Sequence, residues 1–218
     1  MTDALSHERL IAALAADLKP VKPLRAFVRQ AAVWLGVVVA MAGILSLFAD
    51  LPGVAARLTM APDMWLALSG SVLTAILGAI AAFQLALPDR NPWWALLPLP
   101  GLLLWLSASG LGCLRTVVGM GLYAHIFAES RDCLVFIVSI SVPLTGLLIL
   151  MLRRGYSLRP NLTGLVAGIA VAGASVALLN LVHPHDPSVV GLAVHGVGVV
   201  IVAIANWTLG GRVFSSKL

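Results

Sequence analysis

MWLALSGSVLTAILGAIAAFQLAL, residues 64–87, holds no Asp, Glu, Lys, Arg or Pro. The hydrocarbon core of a bilayer is about 30 Å thick and a helix rises 1.5 Å per residue, so roughly 20 apolar residues cross it. This stretch is long enough. Five others match it, and the predicted spans are 26–48, 64–87, 92–114, 133–152, 162–182 and 189–210. The whole chain agrees: of 218 residues 60% are hydrophobic and 11% charged, with mean hydropathy +1.01. Soluble domains carry about 25% charged residues. The expected fold class is an all-α membrane protein: a six-transmembrane-helix bundle preceded by a short amphipathic N-terminal helix on the cytoplasmic side.

Helices in lipid are held by close backbone packing and by side-chain hydrogen bonds. Within 64–87, Ala67, Ser71, Ala75 and Ala79, with Gly70, Thr74, Gly78 and Ala82 beside them, make a face of small residues at helical spacing. Gly164, Gly168 and Ala172 repeat the device in the fifth span, and Gln84, Asn180 and Asn206 are candidates for hydrogen bonds between helices. Trp65, Trp93 and Trp94 stand near span ends, where aromatic belts form.

The connecting segments, read as loops at 49–63, 88–91, 115–132, 153–161 and 183–188, carry most of the charges and the stop signals Asp89-Arg90-Asn91-Pro92 and Arg153-Arg154-Gly155. Some 25 polar and amphipathic residues precede the first apolar stretch, so it reads as a retained anchor and not a signal peptide. Cytoplasmic loops retain Lys and Arg. With the N-terminus inside, Arg9, Lys19, Lys22, Arg25, Arg29, Arg90, Arg153, Arg154, Arg159, Arg212 and Lys217 are cytoplasmic, and Arg57, Arg115 and Arg131 are outside. Eleven against three places both termini in the cytoplasm. The pI near 9.9 therefore reports topology and an anionic inner leaflet, with no direct nucleic-acid contact implied. The expected organisation is a cytoplasmic segment 1–25, a membrane domain 26–212 and a tail 213–218.

An ionisable residue at mid-membrane is costly and marks a transport pathway, and none lies deep in a predicted span. The Pro98-Leu99-Pro100 break has no counterpart in the other half of the chain, so the signature of broken-helix transporters is weak. The chain lacks His-Glu-x-x-His, Gly-x-Ser-x-Gly, a phosphate loop and Cys-x-x-Cys. Neither an enzyme nor a cofactor is expected. The N-terminal segment is the longest stretch outside the predicted spans. Thr2 or Asp3 can cap a helix that stops before Pro20, with Leu10, Ile11, Leu14 and Leu18 along one side and His7, Glu8, Arg9, Ala12, Ala16 and Asp17 on the other. Such a stripe fits a groove on a soluble protein. A helix lying on the bilayer is the alternative, but its polar face is normally rich in Lys and Arg, whereas residues 3–18 hold one Arg and three acids.

The run Leu14-Ala15-Ala16-Asp17-Leu18-Lys19-Pro20-Val21 resembles the N-terminal signature of the NrsF-type membrane anti-sigma factors. So do the segment 94–105, WALLPLPGLLLW, then Gly112-Cys113-Leu114, Asp132-Cys133-Leu134, Leu152-Arg153-Arg154-Gly155, Asn180-Leu181-Val182-His183-Pro184 and Val194-His195-Gly196. The similarity extends over essentially the whole chain. It implies a negative regulator that holds an extracytoplasmic-function sigma factor at the inner membrane until an envelope signal releases it. On that reading Leu10, Leu14 and Leu18 are apolar anchors for the sigma factor, Asp17 and Lys19 polar contacts, and Pro20 sets the angle into the membrane.

For signal input, Cys113 closes the third span and Cys133 opens the fourth, both at the outer ends. Two antiparallel neighbours can bring such a pair within the roughly 7 Å Cα separation a disulfide tolerates, closing a loop of about 20 residues worth on the order of 3 kcal/mol. Two ordinary buried thiols are the alternative. His125, His183, His185 and His195 lie on or near the same side, and with thiolates they suit soft or borderline metals; His183, His185 and His195 are the candidate ligands. NrsF-type proteins are associated with cysteines needed for the response to stress, one of them often in the last outer loop, where this chain has His183-Pro184-His185-Asp186. A competing reading is a small transporter for a metal or thiol compound with these groups at its outer mouth. A third is a subunit that only anchors a partner complex.

Overall fold

The computed structural model describes residues 2–16, 27–60, 62–120, 127–155, 157–182 and 189–215. These residues are helical, with no strand among them: α1 Thr2–Ala16, α2 Phe27–Ser46, α3 Leu51–Met60, α4 Pro62–Leu85, a 3-10 turn Pro92–Leu96, α5 Leu99–Met120, α6 Phe127–Leu152, α7 Pro160–Val182 and α8 Val189–Ser215. Six stretches are long and apolar enough to cross a membrane: Val28–Ser46, Asp63–Leu85, Pro92–Leu114, Asp132–Leu152, Pro160–Val182 and Gly191–Phe214. Each falls within four residues of a predicted span.

Hydropathy marks where the apolar stretch ends, and the helix continues past it. The segment expected as a loop at 115–132 is therefore helical at both ends, through Met120 and again from Phe127. The loop expected at 49–63 is also corrected, since it contains α3. Its start is legible: Asp50 accepts a hydrogen bond from the Gly53 amide at 3.2 Å on its carboxylate and one from Val54 on its carbonyl, and Pro52 sits in the first turn, where its missing N–H costs nothing. The third span is not one helix. Asn91 accepts from the Trp93 amide to open the 3-10 turn, and α5 starts at Leu99 because Pro98 and Pro100 fit a helix start but not its interior.

The bundle is built around α7. Of its span 67% is buried, against 11% for α2 at the periphery. The small-residue faces explain the packing. On α4, a Cβ at Gly78 would stand 2.9 Å from Ala170 Cβ, and on α7 a Cβ at Gly173 would stand 3.0 Å from Ala75 N and Ser71 O, so the α4 and α7 backbones nearly touch. The other side of α4 meets α5: Gly101 lies 2.5 Å, by the same measure, from Thr74 N. Gly168 faces the Cβ of Asn206 and Ala203 Cα, and Gly164 faces Gly210, which presses α7 onto α8.

Polar side chains in this apolar interior supply specific ties. Asn206 donates to Thr145 Oγ1 at 3.0 Å, joining α8 to α6, and to Val202 O in its own helix. Ser141 and Ser175 hydroxyls meet at 3.0 Å between α6 and α7, and the buried Trp34 indole donates to Leu144 O at 3.2 Å, tying α2 to α6. Asn180 donates to Val176 O in its own helix. Among the described residues Asn206 makes an inter-helix bond, while Gln84 Oε1 is buried with no hydrogen-bond partner.

Candidate functional site

Helix α1 runs Thr2–Ala16. Leu10 is 58% exposed, Ile11 65% and Leu14 63%. Residues three and four apart share a helix face, and Leu14 stands four from Leu10 and three from Ile11, so these three make one aliphatic stripe, and every side chain described from His7 to Ala16 is exposed on α1. The bundle does not bury that stripe. Leaving three aliphatic side chains in water forgoes roughly 1.5–3 kcal/mol each. Of the sequence-assigned contacts, Leu10 and Leu14 are placed in this way, whereas Asp17, Leu18, Lys19 and Pro20 lie outside the described residues. Ile11, left out of that assignment, belongs with Leu10 and Leu14.

The two cysteines are thiols, Cys133 buried and Cys113 partly so, and no disulfide joins them. Helices α5 and α6, consecutive in sequence, have little direct contact: α5 packs on α4 and α8, and α6 on α7 and α8. Leu134, next to Cys133, lies where α6 meets α8. A Cβ on Gly198 would meet Leu134 and Ile137 at 3.4 Å, so the upper halves of α6 and α8 are in contact there, with Cys133 one residue from Leu134 and His195 one turn before Gly198. Among the described residues no three His, Cys, Asp or Glu side chains form a metal-binding group. His125, His183 and His185 lie outside the described residues.

The sequence reading missed a hydroxyl clip on the side of the molecule that bears Arg153, Arg154 and Arg159. Ser157 Oγ and Thr163 Oγ1 lie 2.7 Å apart, and both donate to Leu85 O, at 3.1 and 3.2 Å. Ser157 Oγ also accepts from the Arg159 amide. The clip fixes the α6–α7 connection and the start of α7 against the end of α4, and Gly155 allows it by passing close to Ala86 O. Its signal in the sequence was Ser157 and Thr163 six residues apart around Pro160.

An unburied apolar helix followed by a six-span bundle is the arrangement the sequence resemblance leads one to expect. A family profile described as negative regulator of sigma F matches residues 14–215. The chain belongs to the NrsF family. The match begins at Leu14, the last residue of the exposed stripe of α1, and ends at the last described residue of α8, so it covers residues 14–27 ahead of the first span and all six spans, with Leu10 and Ile11 outside it. The family's description makes a sigma factor the partner it implies. No curated protein and no solved structure matches the chain.

Proposed function

We propose that this NrsF-family protein is a membrane anti-sigma factor whose N-terminal helix and the residues after it sequester an extracytoplasmic-function sigma factor at the cytoplasmic face of the bacterial inner membrane. The observation that carries the reading is the stripe Leu10, Ile11 and Leu14, exposed on α1 at one-turn spacing. An amphipathic helix of this kind lays its apolar side in a groove of a folded partner. Leu10, Leu14 and Leu18 are the anchors, Asp17 and Lys19 the polar rim, and Pro20 the junction with the membrane domain. The excess of Lys and Arg in the loops assigned to the inside supports this orientation. The protein acts by binding and not by catalysis.

Release follows an envelope signal of redox or metal type received at the outer ends of the bundle, with Cys113, Cys133 and His195 as the receiving groups. Cys133 stands beside the α6–α8 contact, so chemistry at its sulfur bears on helix packing. A coupling of about 1–3 kcal/mol gives a 5- to 150-fold change in grip on the partner. The test is genetic and biochemical. Leu10→Glu with Leu14→Glu turns on the sigma-dependent genes without a signal while the protein stays in the membrane fraction. Target genes that remain silent in that variant, with normal protein levels, would refute the assignment.

A further inference from the structure

On the arginine-rich side of the bundle, the first turn of α7 and the last third of α8 enclose an open groove of about 550 Å³ lined by Arg159, Pro160, Asn161, Leu162, Leu165 and Trp207. Its volume is that of a small-molecule site. Its chemistry changes with depth. Arg159 lies one residue outside the apolar span that starts at Pro160. Arg159 and Asn161 are exposed. Leu162 and Leu165 follow within two turns, six residues and about 9 Å down the helix. Trp207, 45% exposed on α8, forms the wall.

Close backbone contacts border the groove. A Cβ on Gly210 would stand 2.6 Å from Pro160 O, and one on Gly211 would collide with the Asn161 carboxamide, so α8 passes close under the start of α7. The Ser157–Thr163 clip fixes the backbone of Arg159. The charge near the groove's edges in sequence is positive. Arg153, Arg154 and Arg212 are near in sequence to the groove's two edges, and residues 133–185 and 187–218 contain no Asp or Glu. The facing connection between α4 and the 3-10 turn contributes Asp89 and Arg90, which offset each other. A cation at the boundary, an amide beside it, and an apolar trough with an indole wall running into the membrane match the order of groups along a phospholipid.

We propose that this groove binds one anionic phospholipid, with the Arg159 guanidinium and the Asn161 amide on its phosphate and one acyl chain along Leu162, Leu165 and Trp207. The occupant is a lipid and not a soluble anion, because a free phosphate has no use for the leucine floor and the indole. The site is independent of sigma-factor binding and of which face of the membrane the loop occupies.

Native mass spectrometry of the full-length protein in detergent, titrated with phosphatidylglycerol or with phosphatidylcholine, tests it. A basic side chain near anionic headgroups contributes about 1 kcal/mol, or about fivefold. The first phosphatidylglycerol is expected to bind about fivefold more tightly than the first phosphatidylcholine. Arg159→Gln removes that preference and Arg159→Lys keeps part of it. Trp207→Ala weakens both lipids, and Arg154→Gln, in the same loop but outside the groove, leaves the preference in place. Thermal unfolding of each variant checks that it folds. Equal binding of the two lipids by the wild type overturns the proposal, as does an undiminished preference in folded Arg159→Gln. An equal loss in Arg154→Gln, which means diffuse charge, or displacement of the lipid by excess inorganic phosphate, overturns it too.

Discussion

Gly78→Ala tests the packing on which the bundle depends. The added Cβ would stand 2.9 Å from Ala170 Cβ and 3.0 Å from Ala170 Cα. Carbon atoms attract best at about 3.5–4.0 Å, so α4 and α7 must part by roughly 0.6–1 Å at that level. The neighbour is a backbone-proximal methyl that cannot rotate away. Overpacking of this kind costs about 1–3 kcal/mol, or a 5- to 150-fold loss in the folded-to-unfolded ratio. Gly36→Ala is the control, because nothing lies within 4 Å of the added atom on α2, and it is expected to leave stability unchanged or raise it slightly. Thermal unfolding or steric trapping of the detergent-solubilised protein reads both. If Gly78→Ala is as stable as the wild type, or if the two variants are equally destabilised, the inferred contact between α4 and α7 is wrong.

Three further outcomes are expected. Thr145→Val removes the acceptor of the Asn206 amide between α6 and α8 and should cost about 0.6 kcal/mol, the average for such bonds in a bilayer, measured in the same unfolding assay. Ser157→Ala with Thr163→Val removes both donors to Leu85 O; at about 0.5–1.5 kcal/mol per bond, faster proteolysis in 153–159 of the detergent-solubilised protein should follow, and an unchanged rate would show that the clip holds nothing. Cys113→Ser with Cys133→Ser should blunt induction of the sigma-dependent genes by oxidants, and full induction in that double variant removes the thiols from signalling.

The positions of the spans were readable in the sequence because burial in lipid imposes a length and a composition on each crossing, as 64–87 shows against Asp63–Leu85. The small-residue faces were readable too, since Gly70, Gly78, Gly164 and Gly168 recur at helical spacing. Which helix each face meets was not. Gly78 meets α7 and Gly70 meets α5, and periodicity holds no information on the partner. For the same reason adjacency in sequence does not set packing, and α5 and α6 pack chiefly on other helices. The short helix α3 escaped because ten residues give hydropathy too little to average, although Asp50 and Pro52 announced its start. On α1 the stripe was legible from Leu10, Ile11 and Leu14 alone, but that the bundle leaves it uncovered depends on the tertiary packing. The Arg159–Trp207 groove joins residues 48 positions apart and had no local signal.

The binding of sigma factor to α1 is tested most directly by the affinity of the full-length protein, in lipid nanodiscs, for its purified sigma factor, compared with that of the Leu10→Glu, Leu14→Glu variant. Truncating or charging a central anchor of an interface costs about 2 kcal/mol or more, so the double variant is expected to bind at least a hundredfold more weakly while its thermal stability is unchanged. Equal affinity of the two proteins would contradict the account, since the grip would then lie elsewhere in the chain.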